Sequence, residues 1–178
     1  MVRRQLEQLS DTVDARRAIG LRERKVVSAY RVFRRQLGLD PDVDHGPLEA
    51  AIVERMLRGA FLPQSLPADA CTIATVETGV PVWAINADSL VGALGIRVAS
   101  PGEAIGRGPD AAPVADESLA IADESGPLAI LFRSPDPAVA PSPTGRSIGL
   151  FAIRVPGALK PAIDEALWLA ASIASERE

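Results

Sequence analysis

Apolar positions recur at helical spacing over the first half of the chain and in short β-like runs over most of the second. Residues 2–19 read as a helix of mixed charge that Gly20 interrupts. Residues 22–37 read as a second helix, because Val26, Val27, Tyr30, Phe33 and Leu37 fall on one face. Gly38 supplies the stop and Pro41 confirms the exit. Segment 40–47 is a loop that carries His45, and Pro47 opens a helix running to about Arg58. Ala50, Ile52, Val53, Met56 and Leu57 form its apolar face, and Gly59 ends it. Residues 68–78 predict a further helix, ending at Gly79.

The pattern then shortens. Residues 81–85, 94–99, 118–123, 127–133 and 147–155 read as strands, with a turn at Glu124-Ser125-Gly126. Asn86 or Asp88 is placed to cap a single turn through Ser89-Leu90-Val91. Segments 106–113 and 134–146 are rich in Gly, Pro and polar residues and read as surface loops. Residues 158–175 form an amphipathic helix with Leu159, Ile163, Leu167 and Ala170 in line. Helices, then mostly strands, then a helix predict an α+β fold: helices packed on a mixed or antiparallel sheet, with a C-terminal amphipathic helix. The expected organisation is a charged N-terminal helix over 1–21 and one domain over 22–178, with no internal repeat.

Composition narrows the function classes. At 178 residues and 47% hydrophobic the chain can bury a full core, but aromatics at 4% leave that core to Ala, Val, Leu and Ile. One Cys and one His exclude a disulfide framework and a four-ligand zinc site. No secretory signal and no membrane span are read, so a cytoplasmic protein without metal or cofactor is expected. Residues 1–35 hold ten Lys/Arg and four Asp/Glu, against nine and nineteen in the remainder. Such a basic segment attracts a polyanion such as RNA, through Arg24, Lys25, Arg31, Arg34 and Arg35. A solvated helix accounts for the same charges and is the more ordinary use of such a run.

Catalytic chemistry is thinly signalled. Cys71 lies on a predicted helix without a local base, so a buried, inert thiol is expected. Thr72, Thr75 and Thr78 repeat every three residues, to present hydroxyls to a ligand or, more commonly, to satisfy carbonyls one turn earlier. Glu77 is a candidate acid or base beside them, an exposed helix carboxylate being the default. No nucleophile elbow, P-loop or dinucleotide fingerprint is present, and Gly102-Glu103-Ala104-Ile105-Gly106 lacks the spacing of a phosphate loop.

Residues 63–103 are more specific. Gly79, Pro81, Ala84, Asp88, Leu90, Gly92, Arg97, Gly102 and Glu103 follow, in order and spacing, the pattern of the B3/B4 editing module of the phenylalanyl-tRNA synthetase β-subunit. Upstream, Leu48-Glu49-Ala50, Arg58-Gly59 and Leu62-Pro63 resemble the form of the module that occurs outside the synthetase. Downstream, 122–129 is similar to the hairpin before the module's Gly-Gly loop, so the resemblance spans about 22–155.

The resemblance implies a B3/B4-like fold and a pocket where water hydrolyses tyrosine from mischarged phenylalanine tRNA, without a metal. It implies substrate-binding positions at Thr72, Trp83, Asn86, Glu103 and Ser134. Several of these depart from the family. Its pocket Asn becomes Thr72, its His becomes Trp83, its strand-end Asp becomes Asn86, and its Gly-Gly-Glu loop aligns with Ser134-Pro135-Asp136. The glutamate that reads the tyrosine hydroxyl falls near Leu150. Losing a polar partner for a buried phenol argues against tyrosine and toward a smaller or more apolar ligand. Three functions remain open: a free-standing relative that binds tRNA and perhaps deacylates an aminoacyl-tRNA, a non-catalytic binder of an amino acid or similar metabolite, and an interaction protein docking a partner through the apolar stripe from Val26 to Leu37.

Overall fold

The computed structural model describes residues 2–106, 111–142 and 147–175. The fold is α+β. Five helices come first: α1 (Val2–Thr12), α2 (Ala15–Glu23), α3 (Lys25–Gln36), α4 (Pro47–Arg58) and α5 (Leu66–Thr78). The strands follow as β1 (Val82–Asn86), β2 (Gly95–Val98), β3 (Ala104–Ile105), β4 (Ala112–Pro113), β5 (Leu119–Asp123), β6 (Gly126–Ile130) and β7 (Ile148–Ala152). Helix α6 (Lys160–Ser175) comes last. The chain divides into two compact units, one made of 1–82 with 150–178 and the other of 83–149.

The first unit is built from helices. Val2, Leu6 and Leu9 of α1 bury one face among Leu21, Val27, Leu48, Ile52, Ile73, Val76 and Ile173. Residues 1–21, set apart by their charge, thus share the core of the helices that follow. The helix expected over 2–19 is two helices. Asp14 caps α2 by accepting the Arg17 N–H at 2.7 Å, and Gly20 stays inside α2, where a glycine costs only about 1 kcal/mol. A specific cap outweighs a weak propensity. Helix α5 packs on α1, α4 and α6. It ends at Gly79 with φ 80°, where an added Cβ would sit 2.7 Å from Val27 Cγ2. The buried stripe of α6 is Ile163, Ala166, Ala170 and Ile173, while Leu159 precedes the helix and is exposed.

The second unit carries the sheet β2-β5-β6, antiparallel throughout, with Gly95 opposite Ala122 and Val98 opposite Leu119. A register shift between Ile121 and Ala122 places Pro127 opposite Ala122, where a bulge tolerates a residue without an N–H. Strands β3 and β4 pair antiparallel. Asn86 caps a 3₁₀ turn over Ala87–Ser89 by accepting the Asp88 N–H at 3.1 Å. Segment 134–146, expected as an exposed loop, contains a 3₁₀ turn over Pro137–Val139 that buries Val139. Its residues 143–146 lie outside the described residues, as do 107–110 of the expected loop 106–113.

Candidate functional site

A cleft of about 190 Å³ opens in the second unit, lined by Glu103, Gly106, Ser125, Leu128, Asp136 and Val139 among others. Three local devices shape it. The turn after β2 presents Glu103, whose carboxylate receives both guanidinium nitrogens of Arg97 at 2.6 and 2.7 Å. The Ser100 N–H adds a third bond at 2.7 Å. This paired, bidentate geometry holds the Glu103 carboxyl at about 2, far below its ordinary range, chiefly through the hydrogen bonds from Arg97.

The second device is the β5–β6 hairpin. Asp123 ends β5 almost fully buried, accepting the Val91 and Ser125 N–H groups at 2.8 Å each and the Ser125 hydroxyl. Ser125 and Gly126 are thereby fixed at the cleft. The third is the loop after β6. Asp136 donates its N–H to the Leu128 carbonyl at 2.8 Å and caps the following 3₁₀ turn by accepting the Ala138 N–H at 2.7 Å. Its carboxylate lies against Gly106, which has φ 86°, and a Cβ there would collide with it. Only glycine keeps both the backbone turn and the carboxylate in place.

The cleft therefore offers carboxylate oxygens and one hydroxyl at its rim, with Leu128, Ala138 and Val139 as apolar wall. With Glu103 already paired to Arg97, the Asp136 carboxylate is the anion this rim presents to an ammonium group beside a small apolar body. Its volume is below the ~300 Å³ at which drug-sized sites begin, which points to a ligand of amino-acid size.

The residues expected to bind substrate are distributed unevenly. Glu103 lines the cleft. Ser134 is exposed two positions before Asp136, and Asp136 rather than Ser134 reaches the lining. Asn86 Oδ1 accepts the capping bond from the Asp88 N–H, and Asn86 is not among the residues that line the cleft. Trp83 is 7% exposed and packs against Phe132, ring centroids 6.5 Å apart and tilted by 41°. Phe132 itself adopts φ 65°, a conformation uncommon for an aromatic residue. Thr72 belongs to the first unit, where its hydroxyl donates to the Ala68 carbonyl at 3.0 Å. Thr78 likewise donates to Ala74, and Thr75 accepts the Val82 N–H at 3.1 Å, so this hydroxyl row serves the backbone.

Cys71 is buried, and desolvation pushes its thiol up to about 12, which keeps it an inert core group. His45 is exposed. Among the described residues no group of His, Cys, Asp and Glu could hold a metal ion. No described helix is long and apolar enough to cross a membrane.

The basic helix is partly neutralised from within. Arg31, with a side chain 12% exposed, bridges Asp42 at 2.6 Å and Glu49 at 2.9 Å. Arg34 is buried and pairs with Asp44 at 3.2 Å. Arg24 donates to the Glu77 carbonyl at 2.6 Å. Arg35 reaches Asp42 at 3.4 Å but is exposed, as are Lys25 and Arg22. The charge count over 1–35 missed these ion pairs because their acids lie in the loop over 40–44 and at the start of α4.

No protein-family model matches the sequence, and no curated protein matches it significantly.

Proposed function

We propose that this chain is a B3/B4-type protein that acts on the aminoacyl end of a tRNA, with the amino-acid moiety held at the cleft of the second unit. One observation carries the reading. Three segments singled out by the resemblance, at Glu103, at 124–126 and at 134–136, contribute Glu103, Ser125, Gly126 and Asp136 to one cleft. The exposed cations Arg22, Lys25 and Arg35 supply positive charge for phosphates. Hydrolysis, where it occurs, proceeds by positioning a water against the ester rather than through a protein nucleophile.

A second reading, binding of a free amino acid or similar metabolite without catalysis, is favoured by the state of the carboxylates. Glu103 is tied to Arg97, and Asp123 is held by two backbone N–H groups and Ser125, so both are committed to hydrogen bonds within the unit. Two assays separate the readings. Deacylation of a panel of mischarged tRNAs above the uncatalysed rate supports the first. A rise in melting temperature with one free amino acid, without deacylation, supports the second. If neither hydrolysis nor binding is seen with any aminoacyl-tRNA or amino acid, both are lost.

A further inference from the structure

A larger concavity lies wholly within the first unit, where α1, α2, α5 and α6 meet. It measures about 570 Å³ and is lined by Gln5, Gln8, Arg17, Glu77, Trp168 and Ser172 among others. Its contents are unusual for this chain. Aromatic residues make up only 4% of the sequence, yet one of the two tryptophans, Trp168, stands 69% exposed at this groove. Beside it are two amides and two hydroxyls, groups able to read the edge of a polar ring, and one guanidinium. Gln5 is half-buried, and its Oε1 finds no hydrogen-bond partner among the described residues. Rotation of this amide toward a ligand donor would satisfy an acceptor that is otherwise left over.

Arg17 is held only loosely. Its Nη2 meets the two Glu77 carboxylate oxygens at 3.3 and 3.5 Å, longer than the ~2.7–2.9 Å of a tight charge-assisted bond. Its side chain is 31% exposed. A stacking platform, amides that read both donors and acceptors, and a cation with capacity to spare make up the recognition set for a nucleotide.

We propose that this groove binds a nucleotide, its base stacked on Trp168, its polar edge read by Gln5 and Gln8, and its phosphate on Arg17. The source favoured by the reading above, on which this inference rests, is an unpaired end of an RNA. Glu77 sets the affinity, because its charge competes with the phosphate for Arg17.

The test is a fluorescence titration of the full chain, with an uncharged single-stranded RNA pentamer in one arm and adenosine monophosphate in the other. The expected result is saturable quenching by the pentamer. Binding should be about tenfold weaker in Trp168→Ala, as loss of one base–aromatic stack predicts, with anisotropy of labelled RNA as its readout. Glu77→Gln should bind several-fold more tightly, a gain that a merely structural Glu77 would not produce. Equal binding of the mononucleotide also supports the site and names the free nucleotide as its source. No binding of either ligand at millimolar concentration overturns the proposal, as does a correctly folded Trp168→Ala that binds like the unaltered protein. Self-association that Trp168→Ala abolishes, without any RNA effect, overturns it in favour of a second copy of the chain. Neither ligand carries an amino acid, so failure here leaves the cleft reading to its own assays.

Discussion

The Tyr30 hydroxyl donates a 2.7 Å hydrogen bond to the carbonyl oxygen of Ile153, 123 positions away in the chain. Both groups belong to the first unit, and the bond ties α3 to the segment between β7 and α6. Tyr30→Phe keeps the ring and leaves a buried carbonyl without this donor. The expected loss is about 1 kcal/mol of unfolding free energy, read by urea titration. Burial also raises the phenol above its ordinary range. A raised native value means that its stabilising effect is whole below about pH 10 and fades as pH climbs through it. Tyr30 is the only tyrosine. Absorbance of the phenolate should therefore appear together with loss of helical circular dichroism; a phenol that ionises in the folded protein near pH 10 contradicts the burial.

Two glycines should respond to alanine in opposite ways. Gly79 has φ 80° and faces Val27, so Gly79→Ala adds left-handed strain of about 1–2 kcal/mol plus the cost of the clash. Gly20 lies within α2 with open space around it, so Gly20→Ala should stabilise by about 0.5–1 kcal/mol. Thermal unfolding of the two variants beside the unaltered protein reads both signs at once.

The Arg97–Glu103 pair sets a pH dependence. With its native value at about 2, Glu103 binds fewer protons in the folded chain than in the unfolded one. Its contribution to stability is therefore complete above about pH 4.3 and is lost as pH falls toward the native value. In Arg97→Gln the carboxyl should titrate near its ordinary value, as followed by the side-chain carbon resonance. A Glu103 that still titrates near its unaltered value in that variant would show that the Ser100 N–H, not Arg97, holds it.

Trp83→Ala should cost about 3–5 kcal/mol, because a nearly buried indole leaves a cavity beside Phe132. Denaturant unfolding checks it, and a loss below 1 kcal/mol would mean that the indole is not a packing element.

Much of the α+β order was legible because its punctuation is local. Gly38, Gly59 and Gly79 each take a positive φ just past a helix, and Pro47 sits in the first turn of α4. The break at Asp14 was not legible, since Gly20 is the stronger helix breaker by propensity and only the bond from the Arg17 N–H shows that Asp14 starts a new helix. At the cleft, Glu103 was reached through the resemblance of residues 79–103 to the B3/B4 pattern. Asp136 was passed over for Ser134, because only the bond from its N–H to Leu128 reveals which residue of that loop turns inward. The burial of Arg34 depends on where Asp44 returns after Gly38, which no periodicity encodes. The groove beside Trp168 joins residues from near both ends of the sequence, so no local pattern announces it.

Helix α6 packs on α5, although the whole second unit separates them in sequence. During synthesis the ribosome therefore releases α5 long before its neighbour emerges. Until then α5 can rest on α1 and α4, but its face toward α6 stays uncovered in the nascent chain, and final closure of the helical unit waits for residues 160–175 to emerge.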